Sequence, residues 1–175
     1  MKNYRPTLLL LLIVSLVISA CGYYNPYVYS GPDKKLYITT WKNRTNELNL
    51  DSDLHQSLRR WFQKSNAIEV VSKKEGADLI LAGEIVSIDL PSLSYGAGNN
   101  ATEVKVHLNV RYIVKDLGAD KVLLENNNHT WTEEYQVGSD STQTADNEAA
   151  AIEIIIDDLS ERIYLNTLSQ LAKKQ

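Results

Sequence analysis

The chain carries a single thiol. Cys21 is the only cysteine among 175 residues, so no internal disulfide can form and its sulfur needs another use. The other residue types that do chemistry are scattered. His55, His107 and His129 lie at no metal-ligand spacing from one another or from Cys21. His55 falls on an expected helix, His107 on a solvated strand face and His129 after three asparagines, and each reads as a surface histidine. Glu133-Glu134 and Asp157-Asp158 are adjacent pairs. Neighbouring side chains diverge on a strand or a helix, so neither pair suits shared acid–base work. Gly96-Ala97-Gly98 is too short to cradle a phosphate, and no nucleophile elbow, P-loop or GxGxxG pattern occurs. The expectation is a protein that is not an enzyme, with no catalytic residues, no metal and no cofactor.

The surroundings of Cys21 are more specific. Lys2 and Arg5 precede an apolar run from Leu8 to Ile18, broken only by Ser15. A basic start, a short apolar core and small residues before a cut form the layout of a secretory signal. The run is shorter than the roughly 20 apolar residues a membrane span requires. Ile18-Ser19-Ala20-Cys21 resembles a bacterial lipobox, in which the cysteine is acylated and becomes the new N-terminus. A plain signal peptide with an incidental cysteine is the alternative. Acylation by more than one chain gives a stable anchor, each buried methylene contributing about 0.8 kcal/mol. Gly22 stands where an Asp would retain such a lipoprotein at the inner membrane, so the resemblance implies export to the outer membrane. Beside a lipobox, the three Asn-x-Thr sequons at Asn43, Asn100 and Asn128 read as coincidence.

Removal of residues 1–20 leaves 155 residues, enough for one ordinary domain with a real core. The formal charge of −4 includes Lys2 and Arg5, so the mature chain stands at −6. An acidic chain without clustered Lys and Arg is a poor ligand for nucleic acid.

Residues 21–35 read as a lipidated tether. Asn25-Pro26 and Gly31-Pro32-Asp33 are turn signals, and Tyr23, Tyr24, Tyr27 and Tyr29 suit either a membrane boundary or a plain linker. Residues 36–175 form the domain. A strand is expected over Leu36–Trp41, with Leu36, Ile38 and Thr40 on one face. A helix follows from about Ser52, capped by Asp51 or Ser52, with Leu54, Leu58, Trp61 and Phe62 as its apolar stripe. Ile68–Val71 and Ala77–Ile88 are strands, and Gly83 within the second predicts a bulge or a close backbone approach. Pro91–Thr102 is expected to be a loop. Val104, Val106, Leu108, Val110, Tyr112 and Val114 then alternate with Lys105, His107, Asn109 and Arg111, which marks a sheet with one wet side. Val122–Val137 returns as a strand. The last helix carries Ala145, Ala149, Ile152, Ile156, Leu159 and Ile163 on one stripe, with Glu148, Glu153, Asp157 and Glu161 outward. The fold class is α+β: an antiparallel-rich sheet of about four strands with two helices packed on one face.

This arrangement resembles the LptE family of LPS-assembly lipoproteins. The matching pieces are Cys21-Gly22-Tyr23, Leu36-Tyr37-Ile38 leading to Asn43-Arg44-Thr45, the amphipathic first helix, Ala77-Asp78-Leu79-Ile80-Leu81-Ala82-Gly83-Glu84-Ile85, the strand 104–114, Tyr135, and the final helix with Glu148, Ala149 and Asp158-Leu159. The resemblance implies an outer-membrane lipoprotein on the periplasmic side. It implies a plug inside an LptD-type β-barrel partner that assists the barrel's assembly and contacts lipopolysaccharide (LPS). Lys105 and Arg111 are then candidate contacts for LPS phosphates, although their face also reads as an ordinary solvated sheet surface. The Asn-Arg-Thr loop and the Ala77–Ile85 strand are also similar to LpoB and CsgG-like outer-membrane lipoproteins, so a regulator of a cell-wall synthase or a secretion-channel subunit is the alternative.

The lipobox generates the first prediction. Mass spectrometry of the membrane-extracted protein is expected to find a diacyl or triacyl Cys21 as the mature N-terminus. A mature end at Ala20 or earlier contradicts it.

Overall fold

A computed structural model describes residues 29, 31–95 and 101–173. The expected signal segment, Cys21 and most of the expected tether lie outside the described residues. Among the described residues, seven strands and two helices follow in the order β1 (Lys34–Ile38), β2 (Lys42–Asn43), α1 (Leu50–Gln63), β3 (Ile68–Val71), β4 (Leu79–Asp89), β5 (Ser92–Tyr95), β6 (Ala101–Asp116), β7 (Lys121–Gln136) and α2 (Ser141–Ala172).

The α+β class holds, but the sheet is mixed and larger than the expected four-stranded antiparallel one. β6 pairs antiparallel with β4, β5 and β7. β1, however, runs parallel to both β3 and β4, and β2 runs parallel to β4. The cause is α1. A helix between two strands carries the chain back to where it started, so the second strand enters in the same direction as the first. The strand–helix–strand order was visible in the sequence, and its parallel consequence follows from it. β5 lies inside the segment expected to be a loop, pairing with the start of β6.

β6 sorts the domain into two sides. Val104, Val106, Leu108, Val110, Tyr112 and Val114 are buried, while the residues between them stay half-buried or exposed. Leu79, Leu81 and Ile85 of β4 and Leu36 and Ile38 of β1 join the apolar side. Both helices cover it. From α1 come Leu50, Leu54, Leu58 and Phe62, and from α2 come Ala151, Ile155, Ile156, Leu159, Ile163, Leu168 and Leu171. The expected stripe on α2 is therefore shifted. Ile156, Leu159 and Ile163 are buried and Ile152 is half-buried, but Ala145 and Ala149 are exposed. At 32 residues, or about 48 Å, α2 outruns the apolar surface at its N-terminal end.

Polar contacts hold that end instead. Asp140 caps the helix by accepting from the Gln143 N–H at 2.9 Å. Tyr135 Oη of β7 donates to Glu148 at 3.0 Å, and Asn147 Nδ2 donates to the Gln136 carbonyl at 2.7 Å. The two helices are joined by Asp157, which the sequence placed on the outer face. It accepts from Trp61 Nε1 at 2.9 Å and Ser57 Oγ at 3.3 Å. At the other end, α1 starts earlier than expected. Asn49 precedes it in the left-handed region (φ 65°) with no side-chain cap, and this brings Leu50 into the core.

Between β1 and β2 the alternation changes phase. Ile38 is opposite Leu81 and Lys42 is opposite Glu84, so four steps on one strand match three on the next. The extra residue turns Trp41 inward, where it is 2% exposed, and leaves Thr40 outside, the reverse of the simple alternation. The Trp41 ring lies directly over Gly83 and stacks on Tyr112 with centroids 6.1 Å apart. The close approach expected at Gly83 is thus explained. A Cβ there would sit 2.6 Å from the indole.

Two predictions follow from this packing. Gly83→Ala is expected to displace Trp41 and to lower unfolding stability by about 1–3 kcal/mol, the usual cost of overpacking. An unchanged denaturation midpoint contradicts the contact. The second concerns alkali. Burial, reinforced by the hydrogen bond to Glu148 and its charge, pushes the Tyr135 phenol from 10 up to about 12. The folded state favours the neutral phenol, so this stabilisation is intact below pH 10 and is lost as pH rises towards 12. Tyr112 and Tyr164 are also raised, chiefly by burial, so the comparison is with Tyr135→Phe. The wild type is expected to lose stability more steeply than that variant between pH 10 and 12, and parallel profiles rule the effect out.

Candidate functional site

The outer sheet face is crossed by polar rungs that run from strand to strand. Near the start of β6, Glu103 accepts from Ser94 Oγ at 3.1 Å and from Gln136 Nε2 at 3.3 Å. Lys105 Nζ meets Glu134 of β7 at 2.6 Å. Asn109 donates to Ser87 Oγ of β4 at 2.8 Å and accepts from Thr130 of β7. Arg111 reaches back to Glu84 of β4 with Nη2 at 2.6 Å and Nε at 3.2 Å. Lys115 pairs with Asp120 at 2.5 Å, which holds the Asp120 carboxyl below its ordinary range.

Lys105 and Arg111, the two cations singled out in the sequence, therefore share one face as their spacing predicted. They do not converge. Each already faces a carboxylate, at 28% and 53% side-chain exposure. Exposed pairs of this kind contribute about 0–1 kcal/mol each. Their effect here is to fix where the charges stand.

Two residues at this site were not singled out. Glu84 is 13% exposed, and each of its carboxylate oxygens contacts a different guanidinium: Oε2 that of Arg111 and Oε1 that of Arg44. Arg44 had been assigned to a polar loop. The phase change before β2 turns it onto the outer face, and its N–H bonds the Ile85 carbonyl at 3.0 Å. Asn43 Oδ1 shapes the following loop by accepting from the N–H and hydroxyl of Thr45. A lone acid in an apolar strand was the available sign for Glu84. Nothing in the sequence measured the one-residue slip that aims Arg44.

A shallow cleft of about 290 Å³ opens beside Glu84 and Arg111, lined also by Ile113, Glu125, Asn126 and Asn127. It lies where β6 and β7 change register. Val110 is opposite His129 and Tyr112 is opposite Asn126, so β7 carries one extra residue there. The acidic pairs diverge as expected. Glu134 faces Lys105, while Asp157 turns to α1 and Asp158 is exposed. Of the histidines, His129 is exposed with its ring 5.2 Å from Trp131, whereas His55 and His107 are half-buried. Among the described residues no three His, Cys, Asp or Glu side chains are grouped to hold a metal ion, and no helix is long and apolar enough to cross a membrane.

The domain is similar to several solved structures. The rare lipoprotein B of Shewanella oneidensis shares 13% identity at a TM-score of 0.55, over 74% of this chain and 89% of that one. The Xanthomonas campestris protein XCC0632 shares 15% identity at 0.56, over 86% and 91%. Lipoprotein B of Nitrosomonas europaea shares 19% at 0.52, over 76% and 81%. At these identities the likeness speaks for the fold. No curated protein matches the sequence. The model of the LptE family, described as lipopolysaccharide-assembly, matches residues 34–167, which include every strand described, all of α1 and all but the last five residues of α2. The chain belongs to the LptE lipopolysaccharide-assembly family.

Proposed function

We propose that this protein is the lipidated, non-catalytic subunit of an outer-membrane LPS translocon. Anchored through acylated Cys21 on the periplasmic side, it plugs a large LptD-type β-barrel, assists the barrel's assembly and helps deliver LPS to the cell surface. Family membership over residues 34–167 carries this reading. The outer face supports it. The lumen of a large barrel is polar and wet, and a plug must present polar groups that are already satisfied. The rungs at Lys105, Asn109, Arg111 and Lys115 supply such a surface, while the alternating residues Val104, Val106, Leu108, Val110, Tyr112 and Val114 are turned inward against the helices.

Lys105 and Arg111 are the proposed contacts for LPS phosphates. Both lie on this face, and both side chains remain partly exposed to solvent while paired with their carboxylates. Charge reversal is the wrong probe at Arg111, because a new carboxylate there would abut the largely buried Glu84. Glutamine at both positions removes the charges without that repulsion.

Two measurements test this reading. The full chain, extracted in mild detergent, is expected to co-purify with one large β-barrel protein. Recovery with a cell-wall synthase and no barrel contradicts it. The double variant Lys105→Gln, Arg111→Gln is expected to keep the wild-type fold and to bind purified LPS several-fold more weakly, at about 1.4 kcal/mol per factor of ten. Undiminished LPS binding by the folded double variant removes this pair as the contact.

A further inference from the structure

We propose that the free edge of β7 and the cleft between it and α2 receive an extended segment of a partner protein, added as a further strand with a lysine or arginine side chain seated in the cleft. β7 pairs with β6 alone, and no strand lies on its other side among the described residues. The pairing fixes which backbone groups are left over. The Val137 N–H donates to the Thr102 carbonyl of β6 at 3.0 Å. By alternation, Tyr135, Glu133 and Trp131 also turn their N–H and C=O groups towards β6, and Gln136, Glu134, Thr132 and Thr130 turn theirs outward. Two bonds agree with this count. The Gln136 carbonyl is reached from outside by Asn147 Nδ2 at 2.7 Å. The N–H of Lys105, which lies opposite Glu134, donates away from β7 to the Pro91 carbonyl at 3.0 Å. Natural edges are blunted by lysine, proline or bulges. On β7 both register shifts and Lys121 come before His129, whereas His129–Gln136 pairs in unbroken register with no proline or lysine. That stretch is a template for strand addition, in which main-chain bonds hold the guest and pockets select its alternate side chains.

Such a pocket is present. A cleft of about 280 Å³ is lined by Trp131 of β7 and by Asp158, Glu161, Arg162 and Leu165 of α2. Its lining comes from the edge strand and the helix, with no residue of β6, which places it along the free edge. Trp131 lies opposite the buried Leu108 and so stands on the helix-covered side of the sheet, and Glu133, two residues on, shares that side. Trp131 and Leu165 offer apolar walls for an aliphatic stem, and Asp158 and Glu161 offer carboxylates for the cation at its tip. These two acids outnumber Arg162, and Glu133 adds to them. Charge also chooses between occupants. A second copy pairing through its own β7 would bring another Glu133 and Glu134 to the same edge, which is repulsive. Residues 21–28 of this chain carry no cation and include Pro26. A basic segment of another protein meets neither obstacle. The site stands independently of the LPS reading.

The test uses the full chain in detergent micelles and an end-capped synthetic peptide, Thr-Val-Thr-Lys-Thr-Val-Thr, whose lysine and valines share one face of an extended strand. A second peptide carries norleucine in place of the lysine. The lysine peptide is expected to slow amide hydrogen exchange at Thr130, Thr132 and Glu134 and to shift the indole N–H resonance of Trp131. The norleucine peptide is expected to bind about tenfold more weakly, the loss of one charged hydrogen bond. The double variant Asp158→Asn, Glu161→Gln is expected to remove that preference with thermal unfolding unchanged. Thr132→Pro takes away one outward N–H at a place where an edge strand accepts proline, and it is expected to weaken both peptides alike. Unchanged exchange at the three amides overturns the proposal, as does equal affinity of the wild type for the two peptides. Protection of the same amides that grows with protein concentration in the absence of peptide assigns the edge to a second copy and overturns it as well.

Discussion

The alternation of β6 constrains everything around it. Sixteen residues of one strand place six large apolar side chains on one side and a row of polar ones on the other. The apolar side cannot remain in water, so both helices must lie there. The polar side cannot be covered without partners, so it stays open. Because β6 pairs with β4 and β5 along one edge and with β7 along the other, its two-sidedness is imposed on its neighbours through their register. A slip of one residue would exchange the faces. The register shifts that do occur are local, and two of them serve a stated contact: Trp41 over Gly83, and the cleft at Asn127.

The helices are held by different means along their length. Aliphatic side chains from Ala151 onward bury against the sheet and against α1, and each large one contributes about 1.5–3 kcal/mol. The first turns of α2 rely on the Asp140 cap, Tyr135–Glu148 and Asn147. Asp157 sets the approach of α1 to α2 by accepting from Trp61 and Ser57. These few polar bonds fix geometry, and the apolar seam supplies the stability. A small domain with a rigid polar exterior is the outcome, and that is the form a plug requires.

Much of this was legible in the residues. The period of two in 104–114 separated core from surface correctly, the limits of β3 were found to the residue, and Gly83 announced a close approach. What escaped depends on counting across strands. The parallel half of the sheet follows from α1 as a crossover. The fate of Trp41, Thr40 and Arg44 depends on one extra residue between Ile38 and Lys42, visible only once β4 is set alongside. The stripe on α2 was misplaced at Ala145 and Ala149 because helical spacing shows which residues share a face, not how far the sheet extends beneath them. Lys105 and Arg111 were found by alternation, whereas their partners Glu134 and Glu84 lie on strands distant in sequence.

In the proposed role, the plug must be folded, and the seam between α2 and the sheet is what keeps it so. Leu159 is fully buried in that seam, and Leu159→Asp would place a carboxylate there without a partner, a change large enough to unfold a marginal domain. The direct measurement follows this variant as the only copy in cells, monitoring cooperative unfolding of the purified chain and the amount of mature barrel in the outer membrane. Loss of both is the predicted result. Loss of cooperative unfolding with undiminished barrel and LPS still reaching the surface would contradict the plug.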